Sequence, residues 1–318
     1  MKIIFMGTPE FAVESLKLLL ENNYQVVAVI TVPDKPSGRG LQMHQSALKK
    51  YAIEKGLNIL QPEKLKDEFF LEQLKQLKAD LQIVVAFRML PEVVWNMPPL
   101  GTINLHGSLL PQYRGAAPIN WSVINGEIKT GVTTFFLQQE IDTGKIIFQE
   151  SIPITENNTA GEIHDSLMNV GAQLILKTVE AIEKGNYPQI DQVLLIKENE
   201  LIKNAPKIFK ENFTIDWFKS VDEIHNQIRG LSPYPAAFTN FVSPEGKLFP
   251  LKIFRSKKEI ASHHLPFASI ITDSKSYIKI AVENGFIFID ELQVAGKKKM
   301  AVAEFLRGFQ LKNEWKLN

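Results

Sequence analysis

Two polar side chains one residue apart, Asn104 and His106, close the short segment Gly101–His106, directly before Gly107. If that segment is a strand, alternation puts the amide and the imidazole on one face and Ile103 and Leu105 on the other. An amide beside an imidazole offers a fixed hydrogen-bond donor and a titratable one. Such a pair can steady a developing oxyanion and move a proton. A carboxylate follows in Asp142-Thr143-Gly144, after the strand pattern Gly131–Leu137. Taken alone, each feature has a plainer reading. Asn104 and His106 read as polar residues satisfied at a strand end, and Asp-x-Gly reads as a turn that suits both residue types. The single DTG copy in α/β surroundings argues against an aspartic protease.

These residues need a scaffold, and the first half of the chain suggests one. Lys2–Gly7 reads as a buried strand, with Thr8 as cap and Pro9 as first residue of the helix that follows. Gln25–Val32 is a second strand, Leu81–Phe87 a third and Gly101–His106 a fourth, with a helix over about 45–55 between them. Pro33–Gly40 carries too many breakers to be regular. This alternation predicts an α/β fold with a mainly parallel sheet, in which ligands bind outside the C-terminal strand ends. The glycine fingerprint GxGxxG and the Walker A motif are absent, which weakens a dehydrogenase or a nucleotide hydrolase. Thr159–Lys184 is the clearest helix, opened by a Thr159/Glu162 capping box. Residues 1–188 read as one domain, 189–205 as a linker and 206–318 as a second domain. In the last, a helix over Ser220–Arg229, expected to end at Gly230, is joined by the apolar runs Phe249–Phe254, Ser269–Ile271, Ile278–Val282 and Phe286–Leu292. That spacing suggests a small β-barrel or sandwich.

The bulk numbers are compatible with this division. The chain has 318 residues, 45% hydrophobic and 22% charged, enough for two ordinary globular cores. It has no cysteine, which excludes disulfides, thiolate zinc sites and a cysteine nucleophile. A short apolar start broken by Gly7 and Pro9 is no signal peptide, and no run reaches membrane-span length, so the expected location is cytoplasmic, with no membrane partner. Net charge is +1, but residues 1–205 hold 19 basic against 23 acidic residues, a balance of −4, and residues 206–318 hold 17 against 12, a balance of +5. The basic second half hints at a polyanionic partner. Lys297, Lys298 and Lys299 form a basic run that could follow a phosphate backbone and reads equally as a solvated turn. His164 reads as packing or surface, Trp95, Trp121 and Trp217 as core, and His263-His264 lack further ligands at metal spacing.

The motif NxHxSLLPxxRGxxP, present as Asn104, His106, Ser108, Leu109, Leu110, Pro111, Arg114, Gly115 and Pro118, resembles the signature of the 10-formyltetrahydrofolate-dependent formyltransferases. Asp142 resembles that family's acidic residue in a DTG turn. Met6–Ala12, Val32–Gly40, Ile215–Trp217, Ile228–Ala237 and Gly296–Gly308 are similar to the branch acting on methionyl-tRNA, so the resemblance covers nearly the whole chain. It implies a Rossmann-like formyltransferase domain and an OB-like C-terminal barrel that binds tRNA. The implied reaction moves a formyl group from 10-formyltetrahydrofolate to the amino group of initiator methionyl-tRNA, with no metal and with the chain acting as a monomer. In such an acyl transfer Asn104 would be an oxyanion donor, His106 a second donor and proton shuttle, and Asp142 the partner of His106. Folate contacts would fall on Phe87, Arg88, Met89, Leu90, Ser108, Leu109, Leu110 and Pro111, and tRNA contacts on Lys35, Arg39, Lys297, Lys298 and Lys299. Three departures stand out. Phe87-Arg88 replaces the family's frequent Tyr-Gly, Glu140-Ile141 replaces Gly-Leu before DTG, and the loop after Gly40 looks shorter. The rival readings are a formyltransferase for amino-sugar nucleotides and an inactive RNA-binding protein on the same fold.

Overall fold

The computed structural model describes residues 1–37, 42–311 and 314–318. They fall into two compact units, Met1–Pro118 with Thr130–Ile152 and His164–Ala205, and Ile119–Lys129 with Pro153–Ile163 and Pro206–Asn318. The elements up to the second boundary are β1 (Lys2–Gly7), α1 (Glu10–Glu21), β2 (Gln25–Ile30), β3 (Lys35–Ser37), β4 (Gln42–His44), α2 (Ala47–Glu54), β5 (Ile59–Leu60), α3 (Glu68–Gln76), β6 (Leu81–Val85), α4 (Glu92–Trp95), β7 (Thr102–His106), β8 (Arg114–Gly115), α5 (Pro118–Ile124), β9 (Lys129–Phe136), β10 (Ile146–Pro153), α6 (Ala160–Glu183) and β11 (Asn204–Ala205).

In the first unit one sheet runs β10-β9-β7-β6-β1-β2-β5. The pairs from β7 to β5 are parallel, and β9 joins β7 antiparallel. Ile3, Ile4, Phe5 and Met6 leave no face of β1 to water, so the strand takes the middle of the sheet. Ile4 and Met6 pack with Phe70 and Leu74 of α3 and Val94 of α4. After β1 the helix starts later than the sequence suggests. Pro9, not Thr8, is the N-cap of α1, with no side-chain cap, and its carbonyl accepts from the Ala12 amide at 3.0 Å. A proline has no N–H to leave unsatisfied at a helix start, so the cap shifts by one residue. Gly7 allows close approach, because a Cβ there would sit 2.6 Å from Ala12 Cβ and 2.8 Å from the Val85 carbonyl oxygen. Within the stretch Pro33–Gly40, Lys35–Ser37 is more regular than expected, since β3 and β4 pair as an antiparallel ribbon, and residues 38–40 lie outside the described residues. A two-stranded ribbon has open edges, where a proline such as Pro36 costs little.

The second unit continues with α7 (Val221–Gly230), β12 (Ala237–Val242), β13 (Leu248–Ile260), β14 (Ile270–Thr272), β15 (Ile278–Val282), β16 (Gly285–Val294), β17 (Met300–Ala301), α8 (Val302–Gly308) and β18 (Lys316–Leu317). Its antiparallel sheet, β14-β15-β16-β13-β12-β18 with β17 on β16, forms a nearly closed OB-like barrel. Ile224 and Ile228 of α7 fill its core with Phe241, Ile253, Ile280, Ile287 and Phe305. Ser220 caps α7 in a reciprocal box with Glu223. Gly230 is the last residue of that helix rather than its stop. A Cβ there would overlap the Ile124 side chain of α5, and its carbonyl accepts from Asn120 Nδ2 at 2.8 Å. Trp217 is buried and donates to Thr239 Oγ1 at 3.0 Å.

Candidate active site

The two signature residues of β7 end a strand held on both sides. Asn104 is paired with Val84 of β6 and with Phe135 of β9, and His106 with Thr133 of β9. On the opposite face of β7, Leu105 packs so closely against Gly171 of α6 that a Cβ at Gly171 would sit 2.7 Å from it. The helix thus covers the apolar face, and Asn104 and His106 share the other. Asn104 is half-buried, and among the described residues its carboxamide has no hydrogen-bond partner.

His106 is buried and held from two sides. Nε2 lies 2.8 Å from the Tyr113 carbonyl oxygen and Nδ1 lies 3.7 Å from Asp142 Oδ2. A carbonyl can only accept, so Nε2 is the donor in that contact, and Nδ1 is the nitrogen that faces the carboxylate. Tyr113 can turn its carbonyl inward because its backbone is left-handed, with φ 61°. Asp142 is left-handed as well, with φ 54°, and its Oδ2 accepts the Gly115 amide at 2.9 Å. Both signature glycines are required here. A Cβ at Gly144 would overlap the Phe136 carbonyl oxygen, and one at Gly115 would sit 2.5 Å from the Ala205 carbonyl oxygen.

The loop after β7 is fixed through Thr133. Its hydroxyl donates to the Ser108 carbonyl at 2.6 Å and accepts the Leu110 amide at 3.1 Å, while Gln149 Nε2 donates to the Leu110 carbonyl at 2.8 Å. Ser108 Oγ turns inward to the Gln112 carbonyl at 2.6 Å. Among the described residues, no group of three or more His, Cys, Asp or Glu side chains could hold a metal ion.

A profile described as formyl transferase matches residues 1–179, and one described as formyl transferase, C-terminal domain, matches residues 207–310. The methionyl-tRNA formyltransferase of Bacteroides thetaiotaomicron is 56% identical over all of this chain and 98% of its own length. That of Parabacteroides distasonis is 57% identical over 98% of this chain and 96% of its own. The chain belongs to the methionyl-tRNA formyltransferase family. Among solved structures, the sugar 3N-formyl transferase WlaRD, in the presence of dTDP and 5-N-formyltetrahydrofolate, has TM-score 0.67 at 23% identity, over 94% of this chain and 99% of its own, a likeness of fold.

The residues that the methionyl-tRNA formyltransferase signature assigns to folate fall into two groups. Ser108, Leu109, Leu110 and Pro111 follow β7 directly and share the loop beside His106. Of the segment after β6, Leu90 is a core residue with Met6 and Val94, Met89 is exposed, and Phe87 packs at the edge of the same core. Arg88, where the family often has glycine, crosses the Phe87 ring at 5.5 Å and donates to the carbonyls of Pro62 and Glu63. Burial holds its guanidinium below the ordinary arginine range. Of the residues assigned to tRNA, Lys35 is exposed on β3, and Arg39 lies outside the described residues. Lys297, Lys298 and Lys299 are exposed in the turn after β16, where Lys299 Nζ pairs with Glu291 at 2.9 Å. Sequence reading passed over Tyr113, Thr133 and Gln149. Tyr113 contributes a backbone carbonyl, which no residue type announces, and the other two lie on neighbouring strands.

Proposed function

We propose that this chain transfers the formyl group of 10-formyltetrahydrofolate to the α-amino group of initiator methionyl-tRNA, acting as a monomer in the cytoplasm. The observation that carries the reading is the approach of the Asp142 carboxylate to the buried His106 imidazole, whose strand face also bears a carboxamide without a partner among the described residues. Full-length identity to methionyl-tRNA formyltransferases supports the substrate.

The amine nitrogen attacks the formyl carbon, forming the new C–N bond and a tetrahedral oxyanion. The bond from that carbon to the folate nitrogen then breaks, and one proton passes from the amine to the departing nitrogen. Asn104, which has no partner to give up among the described residues, donates to the oxyanion. Nδ1 of His106, beside Asp142, takes and returns the proton, while the Tyr113 carbonyl keeps Nε2 protonated and the ring in one orientation. Tetrahydrofolate is held by the loop Ser108–Pro111, which Thr133 and Gln149 stiffen from below.

The test compares three acceptors with 10-formyltetrahydrofolate as donor: charged initiator tRNA, charged elongator tRNA and an amino-sugar nucleotide. Formylation of initiator methionyl-tRNA well above the other two is expected. Formylation of the sugar nucleotide with none on methionyl-tRNA would end the proposal.

A further inference from the structure

We infer that Gln192 is a positioning residue for this site: its carboxamide joins the Asp142–Gly144 turn to Arg114 and thereby sets how the Asp142 carboxylate meets His106. The inference rests on the function proposed above.

Gln192 lies outside every signature motif, yet it is 3% exposed and its polar end is fully used. Nε2 donates to the carbonyls of Asp142 and Gly144 at 2.8 and 2.9 Å. Oε1 accepts from Nε and Nη2 of Arg114 at 3.0 and 2.6 Å. The two carbonyls flank Thr143, so one amide group grips both ends of the turn that carries the carboxylate. Arg114 precedes Gly115, whose amide is the donor to Asp142 Oδ2. Gln192 therefore ties together the backbone that bears the carboxylate and the segment that bears its hydrogen-bond donor.

Anchoring of the local chain does not account for this arrangement. Ile190 is already bridged to Ile146 by two backbone bonds of 2.9 Å, and Asn204–Ala205 pairs with Arg114–Gly115. Gln112 also binds Glu200 at 3.0 Å and the Lys203 amide at 2.8 Å. The segment is fastened on both sides of Gln192 without it. The side chain chemistry is also specific. Glutamate could still accept from Arg114 but has no hydrogen to give the two carbonyls, and methionine fills similar volume with neither function.

The test uses Gln192→Glu and Gln192→Met in the full chain, each alone and combined with Asp142→Asn. Each single variant is expected to lower kcat for methionyl-tRNA by ~10–100-fold, as a small misplacement of reacting groups does. KM for both substrates should stay within about 3-fold. In the Asp142→Asn background neither substitution should cost much more, because the group it positions is already gone. In 15N-histidine NMR spectra the His106 ring signals should move in Gln192→Met toward their place in Asp142→Asn. Wild-type kcat in either variant, effects that multiply in the double variants, or unmoved His106 signals would overturn the inference. A wild-type chain inactive on methionyl-tRNA would instead sink the functional reading, and the His106 spectra would still decide the role of Gln192.

Discussion

Asp142 faces His106 from the side opposite to Tyr113: Oδ2 stands 3.7 Å from Nδ1, while Nε2 reaches the Tyr113 carbonyl at 2.8 Å. The ring is thus gripped by an acceptor at one nitrogen and approached by a carboxylate at the other. Its partners come from two separate turns, each with a left-handed residue at the contact, φ 61° at Tyr113 and φ 54° at Asp142. Such backbone is costly for residues other than glycine and is kept only where surrounding structure enforces it.

From this arrangement, His106→Ala should lower turnover with charged tRNA by ~10²–10⁴-fold, the span expected on removing an acid–base group. Asp142→Asn should cost less, since asparagine can still accept the Gly115 amide and keep the turn. Joining the two substitutions should add little to His106→Ala alone. Single-turnover formylation assays check this, and full additivity of the two effects would separate Asp142 from His106.

The carboxamide of Asn104 makes a different prediction. Removing a donor that acts only on the oxyanion lowers kcat by ~10²–10³-fold. Because Asn104 makes no side-chain hydrogen bond within the described residues, Asn104→Ala should leave the melting temperature within about 2 °C of wild type. A large thermal destabilisation, or a turnover close to wild type, would assign Asn104 to structure rather than chemistry.

The parts of this site that were legible in the sequence are those set by short-range periodicity. Asn104 and His106 share a face because a strand repeats every two residues, and β1 is central because four consecutive residues are apolar. The capping boxes of α6 and α7 could be read because both partners lie three residues apart. The illegible parts depend on segments far apart in sequence. Nothing near Gln192 announces its grip on the DTG turn, and Gly230 is read as a helix stop unless α5 is known to press against it. The strand β13 reaches Ile260, beyond the apolar run that suggested it, because its outer residues Lys257, Lys258 and Glu259 pair with β16 through the backbone ladder, which needs no apolar side chain.

Stability of the second unit should depend on pH through His225. Its Nε2 donates to the Glu156 carbonyl at 3.1 Å and its Nδ1 meets Ser256 Oγ at 3.0 Å, in a buried position. Burial holds the imidazole below its ordinary value near 6.5; the backbone bond to Glu156 opposes this, and the charges of Arg229 and Lys258 reinforce it. The unfolded chain therefore binds more protons than the folded one as pH falls below that value. Stability is full above it and declines toward acid. The urea midpoint should drop between about pH 7.5 and about pH 5.5, and His225→Gln should flatten the drop. An equal decline in wild type and variant would acquit His225.

Lys297, Lys298 and Lys299 make unequal claims on RNA. Each lysine that neutralises a phosphate should, once replaced, reduce the slope of log affinity against log salt by about one. Lys299 already pairs with Glu291 at 2.9 Å and stands over the Phe254 ring at 5.5 Å, so its charge is partly spent within the barrel. Lys297 and Lys298 are exposed in the turn, and their ammonium groups have no partner to release among the described residues. Replacing these two by alanine should flatten the salt dependence of tRNA binding by up to about two, and Lys299→Ala alone should change it little. Fluorescence titrations with tRNA across salt concentrations measure the slopes. A larger change from Lys299→Ala than from the double variant would mean that the Glu291 pair opens on binding and that Lys299 is the main contact.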